Sequence, residues 1–117
     1  MNLDDAFQKH IEWKSMFRGA IIKQETMDAV TISKDNCCEL GKWLHGAGMS
    51  QHGSLPSFTE CVAKHKLFHA EAGKVAIAIN SKKYAEAGAM IAPGSPYFTA
   101  STDTGVAIMR LKKEAVL

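Results

Sequence analysis

Between residues 58 and 79, Phe58, Val62, His65, His69, Ala72, Ala76 and Ile79 recur at spacings of 4, 3, 4, 3, 4 and 3. An apolar stripe held for three heptads is the buried seam of a bundle helix. Two of its seven positions are histidine. Any fold of this chain must hide two neighbouring imidazoles and still give each a polar partner. Pro56 suits the first turn of this helix, Ser54 or Ser57 its N-cap, and Ser57 with Glu60 fits a capping box.

The rest of the chain reads as further helices. Asn2 suits an N-cap, with Asp4 and Asp5 in the first turn. Leu3, Ala6, His10, Trp13, Phe17 and Ala20 then form a second stripe, with a third histidine inside it. Residues 25–33 are rich in β-branched side chains and read as a connection with at most a helical turn. Asp35 is the expected cap of a short helix through Cys37, Cys38, Leu40 and Trp43, stopped by Gly46 and Gly48, with residues 46–53 as a loop. Asn80 or Ser81 is expected to open a helix through Tyr84, Ala87 and Ile91 that breaks at Ala92-Pro93-Gly94. Ser95 and Pro96 restart it. Phe98, Ser101, Gly105, Ile108 and Leu111 keep helical spacing, so helix is favoured over a hairpin that would have no sheet to join.

The chain has 117 residues, 46% apolar and 22% charged, enough for one ordinary core, and the expectation is a single domain over 1–117. No apolar run approaches the roughly 18 residues of a membrane span, and no signal peptide is visible at the N-terminus. A net charge of +2 gives no reason to expect nucleic-acid binding. Three cysteines without an export signal point to thiol or metal chemistry in a reducing compartment.

His65 and His69 project from one helix face with Cβ atoms about 6 Å apart, a spacing that one metal ion bridges. His10 adds a third nitrogen from another helix, and a closed tetrahedral site then needs a fourth ligand. Cys61 lies about 12 Å along the axis from His69, too far for that role, and reads as a small buried hydrophobe. Cys37 and Cys38 come from another segment. Adjacent residues point about 100° apart on a helix, so one of the two should face the ion, and periodicity scarcely separates them. His45 and His52 stand apart from these stripes, beside glycines.

His-x-x-Trp (His10, Trp13), Cys-x-Leu-Gly-x-Trp (Cys38, Leu40, Gly41, Trp43) and His-x-x-x-His (His65, His69) follow one another with 27 residues between His10 and Cys38 and 26 between Cys38 and His65. This order and these intervals resemble the chemoreceptor zinc-binding domain family over roughly positions 3–113. The resemblance implies a bacterial, cytoplasmic helical bundle that holds Zn²⁺ through His10, Cys38, His65 and His69. It selects Cys38 over Cys37. It also implies a homodimer and a partner output module of chemoreceptor or diguanylate cyclase type, for which these 117 residues leave no room. Trp13 and Trp43 are expected to cover the site and Gly41 to permit close helix approach.

The expected fold is all-α, an antiparallel four-helix bundle with an additional short helix carrying the cysteine motif. The expected function is non-enzymatic: a zinc-binding regulatory domain that responds to zinc availability or to oxidation of its cysteine, for instance by hypochlorous acid. The alternative is a hemerythrin-like or ferritin-like bundle for oxygen or iron chemistry. Such sites need Glu-x-x-His pairs, and Glu60, Glu71 and Glu86 form none with His65 or His69. A zinc hydrolase would need a general base, and neither Glu39 nor Glu71 stands in an HExxH spacing.

Overall fold

The Asn2 side chain accepts a hydrogen bond from the Asp5 N–H at 3.1 Å and opens α1, Leu3–Lys23. In the computed structural model, which describes residues 1–117, six further helices follow. They are α2 (Ala29–Ile32), α3 (Glu39–Leu44), α4 (Ala47–His52), α5 (Pro56–Asn80), α6 (Tyr84–Met90) and α7 (Pro96–Ala115). The chain is all-helical, and the helices form an elongated bundle of 42 × 24 × 19 Å. Its long dimension matches α5, whose 25 residues span about 37 Å. No helix is long and apolar enough to cross a membrane.

Three legs of the bundle are the long helices. The start of α1 meets the end of α7 through Asp4 and Lys112, 2.8 Å apart, and the start of α5 meets it through Ser57 and Glu114. Helix α7 therefore runs antiparallel to both α1 and α5. The fourth leg is the stretch 25–55, broken into α2, α3 and α4. It begins beside His69, where the Ile32 carbonyl bonds the imidazole, and ends where Leu40 and Leu44 join the core of Leu3 and Phe58. Direction thus alternates along the chain as in an up-down bundle. The short helix carrying the cysteine motif, expected as an addition to the bundle, is thus part of this leg. The seven-residue α6 instead extends the end of the bundle where Ala87 and Ile91 pack on Val75 and Ile79.

Several boundaries differ from expectation. Residues 47–52 are helical, not a loop. Leu55 is the N-cap of α5, and the Ser57 hydroxyl and N–H both donate to the Glu114 carboxylate, at 2.7 and 3.1 Å. The expected capping box yields to that long-range partner. Helix α5 continues through Asn80, so α6 begins only at Tyr84. The helix expected over 95–113 is present, with Ser95 accepting from the Phe98 N–H at 3.1 Å.

The buried core has two parts. One gathers Phe17, Phe68, Val75, Ile79 and Tyr97, the other Leu3, Leu40, Leu44, Phe58, Cys61, Ile108 and Leu111. Between them each long helix contributes buried polar groups: His10 from α1, His65 and His69 from α5, Thr104 from α7. The Thr104 hydroxyl donates within its own helix to Ala100 O at 2.7 Å and lies 3.0 Å from Lys64 O. The histidines need another solution.

Candidate metal centre

Each histidine is oriented by its backbone surroundings. His10 Nδ1 lies 2.7 Å from the Ala6 carbonyl, one turn earlier on α1, and His69 Nδ1 lies 2.8 Å from the Ile32 carbonyl at the end of α2. A carbonyl oxygen only accepts, so in both neutral rings Nδ1 carries the proton and Nε2 a free lone pair. His65 stands one turn before His69, with the two Nε2 atoms 3.0 Å apart.

The fourth group enters from the broken leg. Cys38 is the N-cap of α3, a role expected of Asp35. Its sulfur accepts from the Gly41 N–H at 3.3 Å. Because the thiol caps the helix from an extended residue, the 100° rule for neighbouring helical positions does not apply to it. Cys38 Sγ lies 3.2 Å from His65 Nε2 and 3.5 Å from His69 Nε2. Cys37 Sγ instead donates to the Asn36 side chain at 3.5 Å.

One donor atom from each of His10, Cys38, His65 and His69 thus falls within 4.8 Å of all the others. Four ligands around zinc, with bonds of about 2.1 Å to nitrogen and 2.3 Å to sulfur, lie about 3.4 to 3.7 Å apart in a tetrahedron. Three of the separations already sit near that range. Two buried side-chain polar atoms lack a partner, Tyr97 Oη and His10 Nε2, and the second belongs to this cluster. Lone pairs turned toward one another in a largely buried layer are poorly matched to each other and well matched to a cation.

Burial fixes the charge state of the rings. The three histidines are 1–4% exposed, and loss of water pushes each below the ordinary imidazole range, His65 to about 2. For His65 the neighbouring rings act in the same direction. For His10 and His69 the carbonyl bonds oppose the shift. Burial raises the Cys38 thiol, against the N–H groups of Gly41 and Leu40. Neutral imidazoles are what a metal requires, and a metal supplies the charge that keeps a thiolate deprotonated.

Other candidates fall elsewhere. Cys61 is fully buried in the apolar core, its thiol pushed up to about 12 by burial. His45 pairs with Asp35 at 3.1 Å, and His52 lies against Trp43. Trp13 meets His69 edge-on, with ring centroids 6.3 Å apart. Trp43 packs on Phe58 and His52 and fixes α3 and α4 to the base of α5. The sequence reading did not single out two close neighbours of the site. Phe68 stands edge-on to His10 and to His69, at 5.0 and 5.3 Å, and the Ile32 carbonyl orients His69. Position 68 lies beside the seam, which was a usable signal. A carbonyl 37 residues distant gave none.

The fold and this donor set define a helical metal-binding domain. The family model of the chemoreceptor zinc-binding domain matches residues 10–76, more than half of the chain, and the chain belongs to that family. No curated protein and no solved structure matches it significantly. The matched span begins at His10 and takes in Cys38, His65 and His69. The cofactor is zinc, and three nitrogens with one sulfur suit it better than they suit Mg²⁺ or Ca²⁺.

Gly41 controls the position of the sulfur. A Cβ at residue 41 would overlap the Asp35 carbonyl, so the turn 35–38 folds against α3 only when residue 41 has no side chain. Gly41→Ala should displace that turn with Cys38 while the long helices persist. The expected result is zinc affinity at least about tenfold weaker in competition with a chromophoric chelator, the scale of a disturbed ligand support. Helical circular dichroism should stay unchanged. Unaltered affinity would show that the turn does not set the sulfur.

Proposed function

We propose that residues 1–117 form one regulatory domain that binds a single zinc ion through His10, Cys38, His65 and His69. The observation that carries this reading is the convergence of four donor atoms in a buried polar layer, one of them otherwise without a partner. Support for a single domain is that both apolar clusters draw on α1, α5 and α7. Zinc content of protein purified without chelator, read by mass spectrometry, tests the assignment. His65→Ala or His69→Ala should lower it sharply and His45→Ala should leave it near one per chain. Equal content in all three variants would overturn the ligand set.

The role proposed is non-enzymatic. Four protein ligands complete a tetrahedral zinc and leave no position for a substrate. No carboxylate joins the donor cluster, which argues against the oxygen and iron chemistry of carboxylate-rich bundles. The site of action proposed is the cytoplasm, with no nucleic-acid or membrane partner, and the recipient of the signal is an output module of chemoreceptor or diguanylate cyclase type.

A homodimer belongs to the same proposal. Of the small residues in α6 and α7, Ala87 and Ala100 are buried within the chain, whereas Ser101 and Gly105 line an open groove. An apolar surface open to a second copy is this groove between α1 and α7, lined also by Phe7, Ile11, Val106 and Met109. Light scattering at tens of micromolar should give twice the chain mass, and a mass near 13 kDa would exclude the dimer.

Zinc availability is one signal for such a domain and Cys38 oxidation is the other. The Cys38 thiolate attacks hypochlorous acid, the sulfur gains hydroxyl as a sulfenic acid, and chloride leaves with the electron pair. A sulfenic acid is a weaker ligand. The residues around Cys38 are held by Leu40, Leu44, Trp43 and the exposed Lys9–Glu39 pair, whereas the histidines are rooted in long helices. Loss of the sulfur bond therefore frees 33–48 before anything else, a local change with a distant readout. Hydrogen exchange of 33–48 should quicken after stoichiometric oxidant in the wild type and not respond in Cys38→Ser. Unchanged exchange despite confirmed Cys38 oxidation would rule this mechanism out.

A further inference from the structure

Of the four donors, His69 is covered by Phe68, Trp13 and the end of α2 and His65 is fully buried, but His10 and Cys38 also line a cavity of about 300 Å³ between α1 and the start of α3. That volume holds about ten waters at bulk density. Its walls include Ala6, Trp13, Met16 and Leu40. Its charged groups are the carboxylates of Asp5, Glu12 and Glu39, with Lys9 and the Met1 α-amino group. Lys9 is taken up by Glu39 at 3.0 Å, a pair that joins α1 to α3 with both side chains well exposed. An exposed pair of this kind is worth little and opens readily.

We infer that this cavity is the port through which small molecules and zinc reach the site, and that its carboxylates make it selective for neutral and cationic species over anions. The inference rests on the zinc reading only for the metal. For the thiol it stands on the cavity itself. The chemistry follows from placement. Cys38, the one donor that can be oxidised or alkylated at neutral pH, is a wall of the cavity. His10, whose Nε2 has no protein partner, is another. A cation entering past Asp5 and Glu12 meets these two donors first and the two α5 histidines behind them. An uncharged oxidant or alkylating reagent meets the sulfur by the same route, while an anion is repelled at the rim. Lys9 and Glu39 neutralise each other, the Met1 α-amino group offsets one further carboxylate, and one net negative charge remains from Asp5 and Glu12.

The test uses the full chain with Cys37→Ser, so that Cys38 is the accessible thiol, Cys61 being fully buried. Rates of Cys38 modification by neutral iodoacetamide and anionic iodoacetate, each divided by its rate with glutathione, report charge selection at the port. The amide should be favoured by about threefold at low salt, the size of one net, partly screened charge at the rim. The ratio should fall toward one in Asp5→Asn/Glu12→Gln and at high salt. Met16→Trp should slow both reagents by about threefold or more by narrowing the cavity, and Glu12→Trp gives a second obstruction should the first unfold. The rate of zinc removal by 4-(2-pyridylazo)resorcinol should fall in the same obstructed variants while zinc content stays at one per chain. Rates indifferent to both tryptophans, or a normalised ratio of one in the Cys37→Ser parent, would overturn the port. A chain that holds no zinc would overturn the metal reading instead, and the alkylation rates would still decide the port.

Discussion

Everything in this bundle is arranged around one unfavourable layer. Three buried, neutral imidazoles and a half-buried thiol lie between two apolar clusters, with their lone pairs converging. Buried polar groups without partners cost about 1–3 kcal/mol each. Protonation offers no relief, because burial opposes a charged ring. A divalent cation turns the same geometry into the strongest interaction available. Structural zinc sites in small peptides are worth about 10–16 kcal/mol, comparable to the whole stability of an ordinary domain. The layer that divides the core in the absence of metal therefore joins its halves in its presence.

That dependence explains why the fourth leg of the bundle is broken. A continuous helix facing α5 would present a side chain at the site but no backbone carbonyl, since its own ladder consumes them. The short α2 ends at Ile32 and frees a carbonyl for His69. The chain then turns through 33–37, and Cys38 starts α3 as its N-cap, with the sulfur near both the Gly41 N–H and the two α5 imidazoles. Gly73 lets this leg approach, for a Cβ there would come within 2.6 Å of Ser33 Cβ. Breaking the helix thus supplies one carbonyl and one sulfur that an unbroken helix would withhold.

The parts of this arrangement that were legible in the sequence are those carried by long periodic helices. The stripes of α1 and α5 announced His10, His65 and His69 as buried on facing surfaces, and the Ser95-Pro96 start of α7 was readable from local chemistry. What was illegible depends on distant partners. Ser57 looks like a local cap until Glu114 arrives from the far end of the chain. Cys37 and Cys38 were inseparable by helical angle because the sulfur that matters lies on no helix at all. Residues 47–52 carry Gly48 before a polar run and are flanked by Gly46 and Gly53, and their helix is held by Trp43, against which Gly48 packs. The helix carrying the cysteine motif was expected as an addition to the bundle for the same reason. Three short helices have too few turns to show a period, so tertiary contacts alone define them as one leg.

The distribution of the ligands among the legs decides what a change at the site can move. His10 belongs to α1, His65 and His69 to α5, and Cys38 to the broken leg, so the donor cluster touches three legs and omits α7. Helix α7 is attached otherwise, by Tyr97, Ile108 and Leu111 in the two cores and at its end by Asp4–Lys112 and Ser57–Glu114. The stretch that matches the family, 10–76, contains every donor and stops before α6 and α7. A perturbation at the metal therefore bears on how the broken leg sits against α1 and α5, while α7 has its own anchors and keeps its place. The broken leg has apolar anchors too, Ile32 in one cluster and Leu40 and Leu44 in the other, but it alone reaches the donor cluster through a non-helical residue.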